Sequence, residues 1–285
     1  MSTLFGLRIV EKCFENAFRT VGSAFQNLRL GAINYVSVLK VSSVMYYTSV
    51  QRCDGFGAGF QNVLFDILYT EHHKGTYVFT PRLSIEHDYH NKPNFVKDLN
   101  DFMNLQNEFK YPEDGDKSAI FSHACAATYH FVEANRDTLF KSETMFKIKK
   151  CFFANKTSPF DNNRVHVAVH IRRPNLIDGV IAGRTDAPDS YFLNIIDTIR
   201  RKNGTKPISF HIYSQGAHER FLTFTSDDTE LHLDESIQDT FTGLVHADIL
   251  VTSASSFSYT AALLTRGVVY YKSFWHPPLD EWIVC

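Results

Sequence analysis

The sequence has few cysteines and no strong excess of charge of either sign. Its five cysteines are scattered over 285 residues, without a C-x-x-C pair or a Cys/His cluster at zinc spacing. A sparse, odd set of this kind is typical of free thiols in a reducing compartment. The 29 basic and 31 acidic residues leave a net charge of −2. That balance argues against a nucleic-acid partner.

Long apolar runs are also missing. Residues 1–30 place charged side chains among apolar ones, so the core of a signal peptide does not form. The apolar stretch 31–50 is interrupted by Lys40, and its β-branched residues favour strands over a membrane span. We therefore expect a cytoplasmic protein without stable membrane insertion. The sequence carries no signal for an oligomeric state.

The common motifs of phosphate chemistry are absent as well. The sequence has no G-x-x-x-x-G-K-[ST] loop, no Cys-x5-Arg loop and no sequence pattern of a metal cluster, which argues against a kinase or phosphatase. No D-x-D motif ends an early strand, because the pair Asp227-Asp228 lies in a polar turn. We expect no metal and no bound cofactor beyond a nucleotide-sugar co-substrate.

What is present is the composition of a packed globular protein, 44% hydrophobic and 21% charged. The turn-rich segment 155–163 predicts a boundary between a domain over 1–160 and a domain over 161–285. After the boundary, strand patterns alternate with helix patterns. The strands are expected at 165–171, 208–214, 230–233, 249–252 and 268–271, and the helices at 190–202, 218–224, 237–245 and 259–264. Such alternation predicts an α/β fold with a parallel, doubly wound sheet.

The N-terminal half has a less regular pattern. Helical spacing of apolar residues predicts a helix or helix pair over 4–30, and a strand is expected over 43–50. A glycine-rich loop over 54–60 is expected to lead into a helix over 61–71. The remaining expectations are a short strand over 76–81, loop and helix around an open cleft over 82–118, and helix over 119–149.

The first candidate site is the segment 170–175, which follows a strongly apolar strand and contains Arg172 and Arg173. Ligands of open α/β sheets bind at the carboxyl ends of strands. Guanidinium groups pair with two phosphate oxygens at once, so adjacent arginines at such an end predict a diphosphate site. A salt bridge between domains is the structural alternative.

The second candidate site is a serine-rich loop between a late strand and a helix. Hydroxyls and backbone N–H groups at the start of a helix bind anions, and helix capping by a single serine is the alternative. Asp234, after the preceding strand, is a candidate for reading a base or ribose, or for capping the next helix. The serines concerned are Ser253, Ser255, Ser256 and Ser258.

Together these segments resemble the fucosyltransferase superfamily, which includes the α1,2-, α1,6- and protein O-fucosyltransferases. The similar features are a H-x-R-R-x-D/N motif at 170–175, an A-D-x-L-V-x-S-x-S-S-F-S segment at 247–258 and a glycine-rich turn ending in Gln-Asn at 55–62. The resemblance implies a GT-B architecture, in which two Rossmann-like domains face each other across a cleft without a metal. The expected cytoplasmic character and the short length are similar to those of glycosyltransferases from bacteria or large DNA viruses.

The resemblance also implies roles for individual residues. Arg172 and Arg173 would neutralise the diphosphate in catalysis, Asp234 would read the base, and Ser255 and Ser256 would hold phosphate. The glycine turn at 57–59 would face the cleft from the acceptor side. The complete set of candidate binding residues is His170, Asn175, Gly57, Gly59, Asn62, Tyr213, Asp234, Ser253, Ser255, Ser256 and Ser258.

The catalytic base and the donor sugar are not carried over from the family. The arginine motif ends in Asn175 rather than Asp, and Ala58 stands where some relatives carry an acid. Asp54 and Glu86 are the leading candidate bases, with Asp88 and Asp178 as others. The donor is GDP-fucose by resemblance, or another nucleotide sugar such as UDP-xylose, and the acceptor is an oligosaccharide. A non-catalytic nucleotide- or glycan-binding protein is the alternative function.

Overall fold

The computed structural model describes residues 45–88, 91–113, 120–173 and 187–285, all within one compact unit. The helix or helix pair expected over 4–30 lies outside these residues, as do Asn175 and Asp178. Among the helices of the described ranges, none has the length and apolar composition needed to cross a membrane.

The N-terminal half, residues 45–153, builds a small parallel sheet with helices around it. Its strands pair in the order β2-β1-β3, and both pairings are parallel. The elements are β1 (Tyr46–Thr48), α1 (Phe56–His72), β2 (Thr76–Tyr77), α2 (Phe95–Met103), β3 (Ile120–Ser122), α3 (Cys125–Ala134), α4 (Arg136–Leu139) and α5 (Glu143–Phe153). Strand β3 replaces the start of the helix expected over 119–149, because pairing with the distant β1 decides its conformation.

The C-terminal half, residues 165–285, builds a six-stranded sheet in which every pairing is parallel. Its elements are β4 (Val165–His170), α6 (Asp189–Asn203), β5 (Ile208–Ser214), a 3-10 helix (His218–Phe224), β6 (Thr229–Leu233), α7 (Ile237–His246), β7 (Ile249–Val251), α8 (Ser256–Leu264), β8 (Val268–Tyr271) and β9 (Ile283–Val284). The predicted parallel α/β sheet is confirmed, with β9 as a further edge strand. The predicted boundary near residue 160 falls between the strands of the two sheets, and the division into two domains stays a prediction.

The strand order decides where a ligand can bind. The order is β6-β5-β4-β7-β8-β9, so the chain extends the sheet on one side of β4 and then returns to extend it on the other. The connections that follow β4 and β7 therefore diverge and leave a crevice at the carboxyl ends of these two strands. Both candidate ligand-binding segments of the sequence follow these two strands.

One apolar core joins the two halves. Phe56 and Phe60 on α1 contact Phe241 on α7, with ring centroids 5.3 and 6.1 Å apart. The Phe56 and Phe241 rings meet edge to face at 87°, an arrangement favoured by the quadrupoles of aromatic rings. All three side chains are buried. Helix α1 is consequently held against the C-terminal half by packing along its own first turns.

The glycine-rich segment is helical, and the loop expected over 54–60 is wrong. Helix α1 begins at Phe56, so Gly57 and Gly59 lie in its first turn, and neither has a positive φ. A Cβ atom at Gly57 would lie 2.6 Å from the backbone nitrogen of Phe257 and 2.9 Å from the carbonyl carbon of Ser256. Glycine is required there because the starts of α1 and α8 approach each other backbone to backbone.

We predict that Gly57→Ala destabilises the protein by about 1–3 kcal/mol, because the added methyl group forces the two helix backbones apart. This cost outweighs the gain of about 1 kcal/mol in helix propensity when alanine replaces glycine. Chemical denaturation of the two proteins measures the difference. Gly59→Ala in the same helical turn is the control, since the atoms nearest a Cβ there belong to the end of the Arg82 side chain and not to a backbone. A Gly57→Ala protein as stable as wild type would contradict the proposed backbone contact.

Candidate active site

A cavity of about 700 Å³ is lined by residues of both halves. From the C-terminal half come the ends of β4 and β5, the start of α7, the start of α8 and the residues after β8. From the N-terminal half come the start of α1 and residues between 87 and 98. The lining includes Gly55, Gly57, His87, Asp88, Lys92, Asp98, His170, Arg172, Arg173, Gln215, Asp234, Glu235, Ser236, Ser255, Ser256, Phe257, Phe274 and Trp275.

A buried hydroxyl joins the two candidate segments of the sequence. The Oγ of Ser253, after β7, donates to the carbonyl of His170 at 2.6 Å and accepts from the backbone N–H of Arg172 at 2.9 Å. The backbone N–H of Ser253 in turn donates to the Oγ of Ser258 at 3.2 Å. Ser253 and Ser258 are 1% and 0% exposed and do not line the cavity. Two of the four predicted serines thus hold the loop in shape.

The other two serines face the cavity at the start of α8. Ser255 is the N-cap of this helix, since its Oγ accepts from the backbone N–H of Phe257 at 3.2 Å. Ser256 occupies the first turn and is half-buried. A helix start carries unpaired N–H groups and a positive dipole end, which together favour an anion. Capping by a single serine, one of the two alternatives from the sequence, is thus found at Ser255, and binding of a ligand by this loop stays a prediction.

The two adjacent arginines have different surroundings. Arg172 is half-buried, and its Nη1 donates to Gln215 Oε1 at 3.3 Å. Arg173 is 7% exposed, forms a short ion pair with Asp189 and donates to the carbonyl of Ala187 at 2.6 Å. Asp189 begins α6 in the same half, so this pair is not the salt bridge between domains that the sequence left open. Arg173 ties α6 to the end of β4 while it also lines the cavity.

His170 is held as a neutral imidazole. It is buried, and its Nδ1 lies 3.1 Å from Ser253 Oγ. Desolvation, with a contribution from the neighbouring charge of Arg172, lowers the pKa of His170 to about 3. At neutral pH this side chain therefore adds no positive charge to the cavity and acts only as a hydrogen-bonding group.

Asp234 lines the cavity in a left-handed conformation, with φ at 56°. Its carboxylate accepts from the backbone N–H of Gly216 at 3.1 and 3.3 Å, which ties the ends of β5 and β6 together. Helix capping by Asp234 is wrong. Ser236 is the N-cap of α7, because its Oγ accepts from the backbone N–H of Asp239 at 3.0 Å.

Besides Ser253 and Ser258, five predicted site residues lie outside the lining. Asp54 pairs with Arg52 at 2.6 Å, and the N–H of Glu86 donates to the backbone carbonyl of Asp54. Glu86 is exposed. The others have structural contacts: Gly59 packs on the Arg82 guanidinium, Asn62 donates to Asp66 at 2.8 Å, and Tyr213 lies buried against Gly243 with its ring stacked on His232.

The structure adds Trp275 and His87 to the lining, which the sequence patterns did not identify, and it places Asp88, one of the candidate bases, there as well. Trp275, after β8, is 67% exposed and stacks against Phe274 with 3.8 Å between ring centroids. An exposed indole beside a cavity is a suitable surface for a sugar ring or a nucleobase. His87 and Asp88 face the cavity from the N-terminal half, with Asp88 Oδ1 accepting from the N–H of Lys92 at 3.0 Å. Their position in an irregular segment carries no periodic signal.

No protein-family model and no curated protein sequence matches the chain. Solved structures that resemble it include glycosyltransferases. Fucosyltransferase NodZ from Bradyrhizobium is 13% identical at a TM-score of 0.39, covering 80% of this chain and 94% of NodZ. E. coli heptosyltransferase WaaC with ADP-2-deoxy-2-fluoro heptose is 13% identical at 0.44, covering 85% and 93%. A mutant of Arabidopsis thaliana FUT1 in complex with GDP is 11% identical at 0.40, covering 97% and 79%.

The sequences share only 11–13% of their residues. The role of each side chain in this protein consequently rests on the geometry of its own cavity.

We predict that His170 makes stability fall with acidification. The unfolded chain takes up a proton near pH 6.5, while the folded chain does so only near pH 3, so stability is lost as pH falls below about 6.5. The free energy of unfolding should fall by at most about 1.4 kcal/mol per pH unit. Urea denaturation at several pH values between 7 and 4.5 measures this dependence on pH. For His170→Asn the dependence should be weaker than for the wild type by up to this amount. The same change at exposed His218 is the control, and equal slopes for wild type and His170→Asn would refute the prediction.

Proposed function

We propose that this protein is an inverting glycosyltransferase that moves a sugar from a nucleoside-diphosphate donor to a hydroxyl of an oligosaccharide. One observation carries the proposal. The arginines after β4 and the start of α8 line the same cavity as a carboxylate, Asp88, from the other half. This arrangement provides a cationic surface for a leaving diphosphate and an acid–base group for an incoming hydroxyl.

The donor side consists of Arg172, the start of α8 and the two serines facing the cavity. Negative charge develops on the diphosphate as the bond to the anomeric carbon breaks. Groups already oriented toward that charge lower the barrier, because they need no reorganisation during the reaction. Ser253 supports this side by holding the backbone N–H of Arg172, and Arg173 supports it by anchoring the end of β4 to α6.

The acceptor side consists of Asp88 and the exposed ring of Trp275. The acceptor hydroxyl attacks the anomeric carbon from the face opposite the diphosphate, and its proton passes to the Asp88 carboxylate. The bond to the diphosphate breaks as the new glycosidic bond forms, so the configuration inverts. Of the acids considered as bases, Asp88 is the one in the described cavity lining, whereas Asp54 and Glu86 lie outside it.

We further propose that the transfer needs neither Mg²⁺ nor a bound cofactor. Mg²⁺ sites beside phosphates require one or two carboxylates together with the substrate oxygens. Here the segments proposed to meet the diphosphate offer guanidinium, hydroxyl and backbone N–H groups. The identity of the donor sugar and of its base is to be determined by experiment. GDP-fucose, UDP-xylose and ADP-linked sugars are the first donors to test.

We predict that one nucleoside diphosphate of the series GDP, ADP and UDP stabilises the protein, by about 2.7 kcal/mol at a concentration of 100 Kd. Transfer from the matching sugar should proceed equally in EDTA and in Mg²⁺.

Arg172→Ala should lower kcat by about a hundredfold or more, the loss expected when one charge-stabilising donor, worth about 2.7–4 kcal/mol, is removed. Melting curves and product analysis by mass spectrometry provide the measurements.

Two variants make this test specific. Arg201→Ala removes an exposed arginine on α6 and should keep both affinity and rate. Arg173→Ala should lower the melting temperature as well as the rate, because it leaves Asp189 and the Ala187 carbonyl without their buried donor. Stabilisation by a nucleotide without any turnover would support the non-catalytic alternative. An Arg172→Ala protein with full turnover would contradict the proposed role of the arginine.

We predict that Asp88→Asn separates donor binding from transfer. The affinity for the nucleotide should stay within about twofold, whereas transfer should fall by about 10²–10⁴-fold, the usual contribution of a general base. Glu86→Gln, two residues away and outside the lining, should change the rate little. Isothermal titration and a transfer assay give the two quantities. The reverse result, with a large loss for Glu86→Gln and none for Asp88→Asn, would place the base where the sequence pattern put it.

A further inference from the structure

Three histidines form a row on one face of the larger sheet, outside the cavity lining. His166 on β4, His211 on β5 and His232 on β6 are linked by ring nitrogens. His166 Nδ1 lies 3.0 Å from His211 Nε2, and His211 Nδ1 lies 3.0 Å from His232 Nε2. Acidic residues stand at both ends, with Glu235 2.8 Å from His232 Nδ1 and Asp161 3.7 Å from His166 Nε2.

A third ligand atom completes a triangle at the junction of His211 and His232. Glu230 Oε2 lies 3.6 Å from His211 Nδ1 and 3.8 Å from His232 Nε2. Given the 3.0 Å between the two nitrogens, the point equidistant from all three atoms lies about 2.0 Å from each. Zinc binds imidazole nitrogen at about 2.0–2.1 Å and carboxylate oxygen at about 2.0–2.2 Å. The triangle therefore has the dimensions of a zinc site.

If hydrogen bonds alone link the three rings, one ring nitrogen of the row is left without a partner. Each neutral imidazole supplies one N–H, and three links lie within hydrogen-bond distance, including the one to Glu235. All three N–H groups must then point toward Glu235. His166 Nε2 is left as a buried lone pair without a hydrogen-bond partner, directed at the carboxylate of Asp161. Asp161 is exposed and can turn to water, but the buried nitrogen cannot, and a buried acceptor without a partner is unfavourable.

A cation between His211 and His232 removes this conflict. Both nitrogens that face each other would offer lone pairs to the metal. His211 would then donate through Nε2 to His166, and His166 would donate through Nε2 toward Asp161. His232 would still donate through Nδ1 to Glu235. Metal-bound histidines commonly donate their second N–H to a carboxylate or another acceptor, which orients the ring and strengthens the ligand.

We propose that His211, Glu230 and His232 bind a divalent transition metal of the zinc class, with His166 and Glu235 as the outer hydrogen-bonding partners. Two imidazoles and one carboxylate are a known zinc ligand set that leaves a fourth position for water. Glu230 is exposed on the edge strand β6, so the metal has a route from solvent, whereas His211 is buried. The three ligands lie on the neighbouring strands β5 and β6, so a bound metal would also link these two strands.

The metal is separate from the proposed transfer chemistry. Its three ligands do not line the cavity, but Glu235 does. Through His232 the metal would orient this one carboxylate at the edge of the cavity. The expected role is therefore structural, and its test does not depend on any donor or acceptor.

The experiment uses the full, untagged chain, stripped of metal by a chelator and titrated with Zn²⁺ against a chromophoric competitor. One Zn²⁺ per chain is expected to bind, and Zn²⁺ should raise the melting temperature. Glu230→Gln should weaken binding by more than about 100-fold, and Glu235→Gln by about 10–100-fold, the usual loss for an outer partner. Glu219→Gln, the same change at another exposed glutamate of this half, should leave the affinity unchanged.

Co²⁺ provides a second readout, since its visible absorption reports four-coordinate binding by nitrogen and oxygen ligands. This spectrum should appear in the wild type and in Glu219→Gln, and be lost in Glu230→Gln. Because Glu230 is exposed, its variant is expected to fold without metal as the wild type does, and His232→Gln serves as an independent second variant. The proposal is overturned if the wild type binds no stoichiometric zinc, or if the Glu230 and His232 variants bind it as tightly as the wild type.

Discussion

The hydroxyl of Ser253 holds the two loops of the cavity in one arrangement. It bonds to the carbonyl of His170 and to the backbone N–H of Arg172, so it joins the carboxyl ends of β4 and β7 where the chain reverses its direction of building the sheet. Both partners are backbone groups at or just after the carboxyl end of β4. These two bonds help to fix the position of Arg172 relative to the start of α8.

A second set of hydrogen bonds joins the N-terminal and C-terminal halves beside the cavity. The carbonyl of Gly57 accepts from Thr260 Oγ1 at 2.9 Å, so α1 and α8 are bonded where their backbones come closest. Farther along α1, Gln61 Nε2 lies 3.1 Å from His276 Nε2, and His276 Nδ1 lies 2.7 Å from Glu133. The neighbouring Trp275 donates through its indole to the same His276 Nε2 at 3.0 Å. These contacts place the exposed indole at the cavity and connect it to both halves.

The cavity lining carries charges of both signs. Arg172 and Arg173 follow the central strand β4, and Asp234 and Glu235 follow β6, whereas Asp88, Lys92 and Asp98 come from the N-terminal half. A diphosphate beside the arginines and an acceptor hydroxyl beside the carboxylates would place leaving group and nucleophile on opposite sides of a sugar. Glu235 is the link between this cavity and the histidine row, because its carboxylate lines the first and ends the second.

The sequence by itself determined the elements of the C-terminal half and the segments that follow their strands. Alternating apolar runs and helical periodicity are local properties, so the strand over 208–214 was predicted to the residue. Placement of the arginine and serine segments at strand ends followed from the same pattern.

Tertiary structure alone decided how those segments are used. The pattern of four serines is the same whether a hydroxyl faces solvent or a neighbouring strand, and only packing placed Ser253 and Ser258 inside and Ser255 and Ser256 in the cavity. The start of α1 was likewise missed, because glycine at 57 reflects contact with Phe257, two hundred residues away in sequence. The three histidines of the row follow no recognisable spacing in the sequence, since the register of β4, β5 and β6 brings them together. Local chemistry sets what a segment can form, and the energy of long-range contacts sets which side chains meet.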